Sequence, residues 1–472
     1  MTRISADLSP SFPATPDFDS WPVVERPVEA SPIERGVRVL WDDGLESRFH
    51  VLWLRENSPD DIHPVTREPA LMLEAIPDDL VARAASIEPG GVLRVDWSTG
   101  ETSRYHPGWL RAHAVETGSD PMAMPPRTLW GAGLGGCLPR FDGAAILAGD
   151  PAEFAGWLEA LHGYGVALLE GLPLEPDAVE RIALMIGPIR PTNFGNVFEV
   201  RSKQDADSNA YTNMALPMHT DLATREYKPG LQFLFCMANE AAGGENQIAD
   251  GFMIAETMRR EVPDLFRTAA TQPLVYGSRA RTSDYRFACP MIRLAPDGTV
   301  EEVRVSPWLR APLVAPLEDV DRAYRALRYF LAVSERPIMH VTLKLKPGDL
   351  LSFDNRRILH GRHVYDPATG ERWLRGCYVE REELYSRLRI LARERRQPRA
   401  AARQAAASRR PAHAADLSAP PSPVDPSAPA RPARRPRSAP DPRAFPASPA
   451  GAARSRHLPA ASRESGYARA RR

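Results

Sequence analysis

Four side chains in two distant stretches carry the reactive chemistry of this sequence. They are His219 and Asp221 in PMHTDLATRE, then His360 and Arg372 in FDNRRILHGRHVYDPATGERWLRG. Two imidazoles and one carboxylate make a mixed nitrogen and oxygen donor set with positions left open. That is the facial triad of a non-haem Fe(II) oxygenase, not the closed cage of a structural metal. An H-x-D spacing sets both donors near one strand end, because alternate strand residues share a face. A third donor from a distant strand reaches them only if the sheet curls back on itself, as in a jelly roll or cupin-like barrel. Arg372 follows His360 by about one further strand and turn, which puts a fixed cation at the bottom of the same pocket. A guanidinium fork there suits the far carboxylate of a dicarboxylate co-substrate, since it pairs two oxygens at once. His340 and His363 are rivals for the third ligand position. His219 alone reads equally well as a hydrogen-bonded loop residue. The combination of H-x-D, a downstream H-G-R-x-x-Y and a strand-borne arginine makes the metal reading specific.

The elements that must position these residues follow from the local patterns. GVRVLWDD, SRFHVLWLRENS and GGVLRVDWSTGETSRY read as short alternating strands broken by D-G, P-G and T-G turns, a small β domain over 29–115. A connector over 116–135 leads to DPAEFAGWLEALHGYG, where Phe154, Trp157, Leu158 and Leu161 form one helical stripe that reads as core. VALLEGLP is a strand and PDAVERIALMIG a helix; GFMIAETMRREVPDLFRTAATQP is helical, and EDVDRAYRALRYFLAVSE is an amphipathic helix. IMHVTLKLKPGDLLSFDNRRILHGR alternates and delivers His360 at its end. The fold class is therefore α+β, a double-stranded β-helix over 136–394 with flanking helices and the small β-rich domain before it.

At 472 residues, two folded parts plus tails are expected. A hydrophobic content of 43% with 25% charged residues fits a soluble globular core. Cys137, Cys236, Cys289 and Cys377 are scattered without a C-x-x-C, which points to a reducing compartment and away from a disulfide framework. The start has neither an apolar leader nor a spanning run, so a cytoplasmic protein without membrane contact is expected. Residues 1–28, rich in Pro, Ser and Asp, read as disordered, as does the Arg-, Pro- and Ala-rich stretch 395–472. That tail carries seventeen arginines against four acids, a net charge of about +13. The whole chain is neutral, so the body is acidic and a poor nucleic-acid binder; polyanion binding by the tail is the weaker alternative.

AYTNMALPMHTDLATRE, PGLQFLFCMANEAAGGENQIADGF and GDLLSFDNRRILHGR, followed by GERWLRGCYVEREELYSRLRIL, resemble the gamma-butyrobetaine dioxygenase family. These are 2-oxoglutarate- and Fe(II)-dependent hydroxylases of the wider taurine-dioxygenase-like group, and the resemblance covers about residues 30–393. It implies Fe(II) on His219, Asp221 and His360, with no catalytic residue beyond these ligands. It implies 2-oxoglutarate and O2 as co-substrates, ascorbate as reductant, and Arg372 against the remote carboxylate of 2-oxoglutarate. The implied reaction is hydroxylation of gamma-butyrobetaine to L-carnitine with release of succinate and CO2. The same chemistry on trimethyllysine, a trimethylammonio-phosphonate or another zwitterion stays open, and a non-catalytic cupin-like binder is the reading from a different class. The resemblance also implies a cage of Phe194, Phe198, Tyr211 and Tyr378 around a quaternary ammonium. Such a cation has no N–H to donate and is held by ring faces, each contributing about 0.5–2 kcal/mol.

Three departures accompany the resemblance. Leu222 stands where some members place a further tyrosine. Ser306-Pro307-Trp308 stands near an asparagine that some members turn toward the substrate carboxylate, which leaves Arg310 as the candidate here, with Arg304 to Trp308 approaching the pocket. Members often carry a zinc in the N-terminal domain, but Ser58, Asp60 and Glu101 occupy its ligand positions and His63 alone cannot hold it. No zinc is expected, and that domain must rely on its apolar core and on a homodimer contact.

Overall fold

The computed structural model describes residues 17–408 apart from 19, 119, 122, 202–211 and 281, with 397–408 described by backbone alone. The apolar runs LQFLFCMAN and LLSFD are buried on both faces, and they take the centre of a six-stranded sheet accordingly. Its order is Arg140–Asp142, Val166–Glu170, Leu350–Asp354, Leu231–Asn239, Arg372–Val379 and Val197–Val200. Four shorter strands form a second sheet in the order Leu216–His219, Ile358–Arg362, Asn246–Asp250 and His340–Leu343. Leu234, Phe353 and Leu374 of the first sheet share a core with Ile248, Ile358 and Val341 of the second. Two largely antiparallel sheets, with one parallel edge pair in the first, face each other over one core and form a cupin-like jelly roll.

Helices cover the outer faces. Pro151–Gly163 starts on Asp150, whose carboxylate accepts from the amides of Ala152 and Glu153, and carries proline at its first position. Trp157, Leu158 and Leu161 are wholly buried against the six-stranded sheet, while Phe154 is only partly covered at the stripe's edge. The indole N–H of Trp157 donates to Ser352 Oγ at 2.9 Å, so this fully buried ring keeps no unmet polar group. Gly251–Glu261, Pro263–Thr271 and Leu317–Ser334 pack together elsewhere around Phe252, Met258 and Phe330.

A fully buried ion pair ties these layers together. Arg357 and Asp250 meet through two N–H···O contacts of 3.0 and 2.8 Å, and both side chains are 0% exposed. The same guanidinium donates to the carbonyls of Gly163 and Thr128, and Asp250 accepts from the Trp130 amide. Charges this deep are tolerable only when every donor and acceptor is met. The connector at 116–135 is thereby fastened to the body rather than left as a linker: Trp130 is buried, and Arg127 donates to Tyr385 Oη.

The N-terminal stretch forms two three-stranded antiparallel sheets, Pro27–Ile33, Gly36–Trp41 and Glu46–His50, then Ala82–Glu88, Val92–Trp97 and Thr102–Tyr105. Trp41, Trp97 and Trp109 anchor their shared core. Order begins earlier than residue 29: Phe18 is buried against Trp109, with ring centroids 5.1 Å apart, so apolar burial holds the described residues of this stretch despite their loop-like composition. Ser58 and Asp60 serve internal hydrogen bonds, accepting from Ser103 Oγ and from the Arg104 amide. At the other end, helix Arg381–Ser408 runs past residue 394, where disorder was expected to begin. Its arginines account for the difference in part: Arg395 pairs with Glu159, and Arg396 lies 4.2 Å over the Trp21 ring.

Candidate metal centre and its cavity

Antiparallel register brings the two histidines together. His219 ends its strand directly opposite His360, and their ring centroids are 4.2 Å apart. The expectation that a closing sheet delivers the third donor is corrected here, because both imidazoles belong to one four-stranded sheet. Gly361 allows the approach: a Cβ there would sit 2.7 Å from the Leu216 carbonyl. Between the donors, Thr220 turns away and is fastened to Val305, its amide donating to that carbonyl at 2.8 Å. The chain then leaves the strand through Leu222 at φ 53°, a left-handed turn uncommon for a side chain with a Cβ. Asn355 clamps the same turn, accepting from the Asp221 amide at 2.7 Å and donating to its carbonyl at 3.2 Å.

The donor atoms His219 Nε2 and His360 Nε2 lie 3.3 and 3.7 Å from Asp221 Oδ1. Ligand atoms of these three residues all fall within 4.8 Å of one another, the one such group of His, Cys, Asp and Glu among the described residues. The opposite sheet fixes which carboxylate oxygen faces the imidazoles. Gln232 and Tyr378 are cross-strand partners, and each donates to Asp221 Oδ2 at 2.7 Å, leaving Oδ1 free to ligate. His219 Nδ1 sits 2.9 Å from the Pro217 carbonyl, which fixes the proton there and the lone pair on Nε2. Burial, reinforced by the neighbouring His219, pushes His360 down to about 3, so the ring is neutral at ordinary pH. Burial works against the Asp221 charge, but His360, His219 and the Tyr378 hydroxyl outweigh it and hold the carboxyl well below its usual range. A neutral His360 imidazole and an ionised Asp221 carboxylate are the protonation states that ligate a divalent cation.

Arg372 opens its strand opposite Asn239 and is 4% exposed. It donates to the Gly244 carbonyl and to Asn246 Oδ1, both at 3.3 Å. Its Nη1 and the Nδ2 of Asn246 are buried and reach no acceptor among the described residues. Two buried donors left over in a cavity fit an anionic group bound between them. Burial, with Arg362 close by, pushes Arg372 down to about 10, still fully protonated. Arg362 and Arg372 lie over the Tyr365 ring at 5.0 and 5.6 Å, and this paired positive charge suits a dianion.

One cavity of about 420 Å³ joins these groups and also reaches Phe194, Phe198, Ser306, Trp308 and Tyr378. Phe198 stacks on Tyr378 at 5.0 Å, and Gly376 makes that possible, since a Cβ there would lie 2.5 Å from the Phe198 ring. Phe194 is half-exposed at the cavity wall, and Tyr211 lies outside the described residues. Trp308 packs on His219, ring centroids 4.6 Å apart. Two further candidates lie elsewhere. Arg310, exposed, donates to the Pro307 carbonyl and is not part of the wall; Arg304 is buried, pairing with Glu302 and capping the carbonyls of Ala223, Arg225 and Glu226. His340 and His363 stay apart from the donor cluster, His363 pairing with Glu245. Sequence reading missed Gln232, Asn246, Asn355 and Arg225. The first carries a usable signal: a lone amide inside an apolar central strand must have a buried partner.

Comparison with known proteins agrees with this geometry. Residues 124–378 match the family model of taurine catabolism dioxygenase TauD, TfdA family. The chain is 43% identical over 385 residues to a gamma-butyrobetaine dioxygenase from Pseudomonas sp., covering 80% of this chain and all of that one. It is 28% identical to the gamma-butyrobetaine dioxygenase of Homo sapiens, over 75% of this chain and 94% of that one. It is 27% identical to a trimethyllysine dioxygenase of Meyerozyma guilliermondii, over 75% and 93%. This chain therefore belongs to the gamma-butyrobetaine dioxygenase family of TauD/TfdA-type enzymes, and it is a dioxygenase that uses Fe(II), 2-oxoglutarate and O2.

Proposed function

We infer that the enzyme hydroxylates gamma-butyrobetaine to L-carnitine, consuming 2-oxoglutarate and O2 and releasing succinate and CO2. The carrying observation is a single cavity that holds the His219, Asp221 and His360 donors together with the ring faces of Phe194, Phe198 and Tyr378. The 43% identity to a protein of that activity supports the same substrate.

In this reading His219 Nε2, His360 Nε2 and Asp221 Oδ1 hold the metal. Fe(II) with 2-oxoglutarate supplies the oxidation of an unactivated C–H bond by O2. The remaining work falls to the protein. Gln232 and Tyr378 keep Oδ2 occupied, so that Asp221 offers one oxygen and leaves positions for the co-substrates. Arg372 and Asn246 receive the remote carboxylate of 2-oxoglutarate with their unspent N–H groups. The aromatic faces hold the trimethylammonium, and fixing that end limits which carbon can face the metal.

The test is succinate release with gamma-butyrobetaine, trimethyllysine and a trimethylammonio-phosphonate as alternative substrates, products being identified by mass spectrometry. Gamma-butyrobetaine should give the highest kcat/KM and yield carnitine. A higher kcat/KM for trimethyllysine would move the substrate assignment to that relative's activity.

A further inference from the structure

We propose that Arg225 is the anchor for the substrate's carboxylate and so selects zwitterions over simple quaternary ammonium cations. This rests on the substrate reading above and deepens it. Arg225 follows Asp221 by one short turn and lines the same cavity, half-buried. Its guanidinium lies 3.1 Å above the Tyr285 ring, and Nη2 donates to Asn193 Oδ1 at 2.6 Å. Both partners are neutral, and among the described residues no carboxylate pairs with it.

Arg279, Arg362 and Arg372 are the other arginines of the cavity wall. Arg372 is buried beside Asn246, and Arg362 is buried and donates to the carbonyls of Thr212 and Met214. Arg279 is paired with Asp284. Arg225 is thus a cavity cation whose charge the described residues leave unneutralised. Stacking on Tyr285 fixes the plane of the guanidinium, and a stacked guanidinium donates in that plane. One of its five N–H groups goes to Asn193; the rest leave room for a two-oxygen contact with a carboxylate. Asn193 adjoins Phe194 in sequence, so the anion anchor borders the aromatic wall. A short molecule with a cation at one end and a carboxylate at the other matches this pairing of ring faces and a free guanidinium.

The test compares gamma-butyrobetaine with butyltrimethylammonium, which keeps the cation and lacks the carboxylate. Calorimetric titration into Mn(II)-loaded enzyme with 2-oxoglutarate reads binding without turnover. In R225Q the Kd for gamma-butyrobetaine should rise about 10- to 100-fold, the loss expected for a charge-assisted contact, while butyltrimethylammonium binds as before. R225K should recover part of the loss, since it restores the charge without the fork. Equal weakening of both ligands in R225Q would make Arg225 a structural tie between Asn193 and Tyr285, and the proposal would be wrong. Unchanged gamma-butyrobetaine affinity would also overturn it, with the substrate reading left standing. If the unaltered enzyme bound neither compound, the substrate reading itself would fall and this proposal with it.

Discussion

Arg372 and Arg225 line one cavity in different settings. Arg372 opens a central strand, is 4% exposed, and is fixed by the Gly244 carbonyl and Asn246. Arg225 sits in a turn, half-buried, held by one amide oxygen and one ring face. The metal end is built the same way as Arg372. Cross-strand pairs 219/360 and 232/378 come from two sheets and fix Asp221 from both sides. The other end is made of a loop at 192–195, the turn after Asp221 and the hairpin of Leu274–Ala280 and Ser283–Cys289. Strand-borne groups are over-determined and suit a fixed chemical role; loop-borne groups are held by few contacts and suit the adjustable part of a site.

Several substitutions would break or sharpen this contrast. Asp221→Ala should abolish 2-oxoglutarate turnover and strong Fe(II) binding, read by succinate release and anaerobic metal titration; retained turnover would remove Asp221 from the ligand set. Arg372→Ala should raise the KM for 2-oxoglutarate about 10- to 100-fold and leave that for the betaine nearly unchanged, because the lost contact is one charged hydrogen-bonding group. Tyr378→Phe lies where the two ends meet. Losing the hydroxyl on Asp221 Oδ2 should weaken Fe(II) binding by about 10-fold or more, whereas the retained ring should keep betaine affinity within about threefold. Arg310→Ala should change neither KM by more than about twofold, as expected of an exposed side chain away from the wall. A large effect there would mean that the loop at 306–310 closes onto substrate.

Much of the metal end was legible in the sequence. His219, Asp221, His360 and Arg372 stood out because H-x-D and a strand-borne arginine are short-range patterns with a definite chemical meaning. Helical stripes such as Trp157, Leu158 and Leu161 were equally readable, being fixed by a local period. The partners of Asp221 were not. Gln232 and Tyr378 carry no spacing relation to it, and their hydroxyl and amide converge only after two sheets have paired and faced each other. Arg225 and Arg310 look alike as letters, and only the packed walls separate them. The ends of the folded body are also hard to read from sequence, among the described residues of 17–28 and at 395–408. Composition there is polar, whereas the order comes from single anchors, Phe18 on Trp109 and Arg396 over Trp21.

By itself the sequence determined the donor types, a strand-borne cation downstream of them and the alternating and helical segments that carry them, since each depends on neighbours a few residues apart. Tertiary structure decided which oxygen of Asp221 faces the imidazoles, which cavity arginines pair with a carboxylate, and where the aromatic faces stand. Those are outcomes of strand register and sheet packing, in which residues far apart along the chain become neighbours and no local pattern records the meeting.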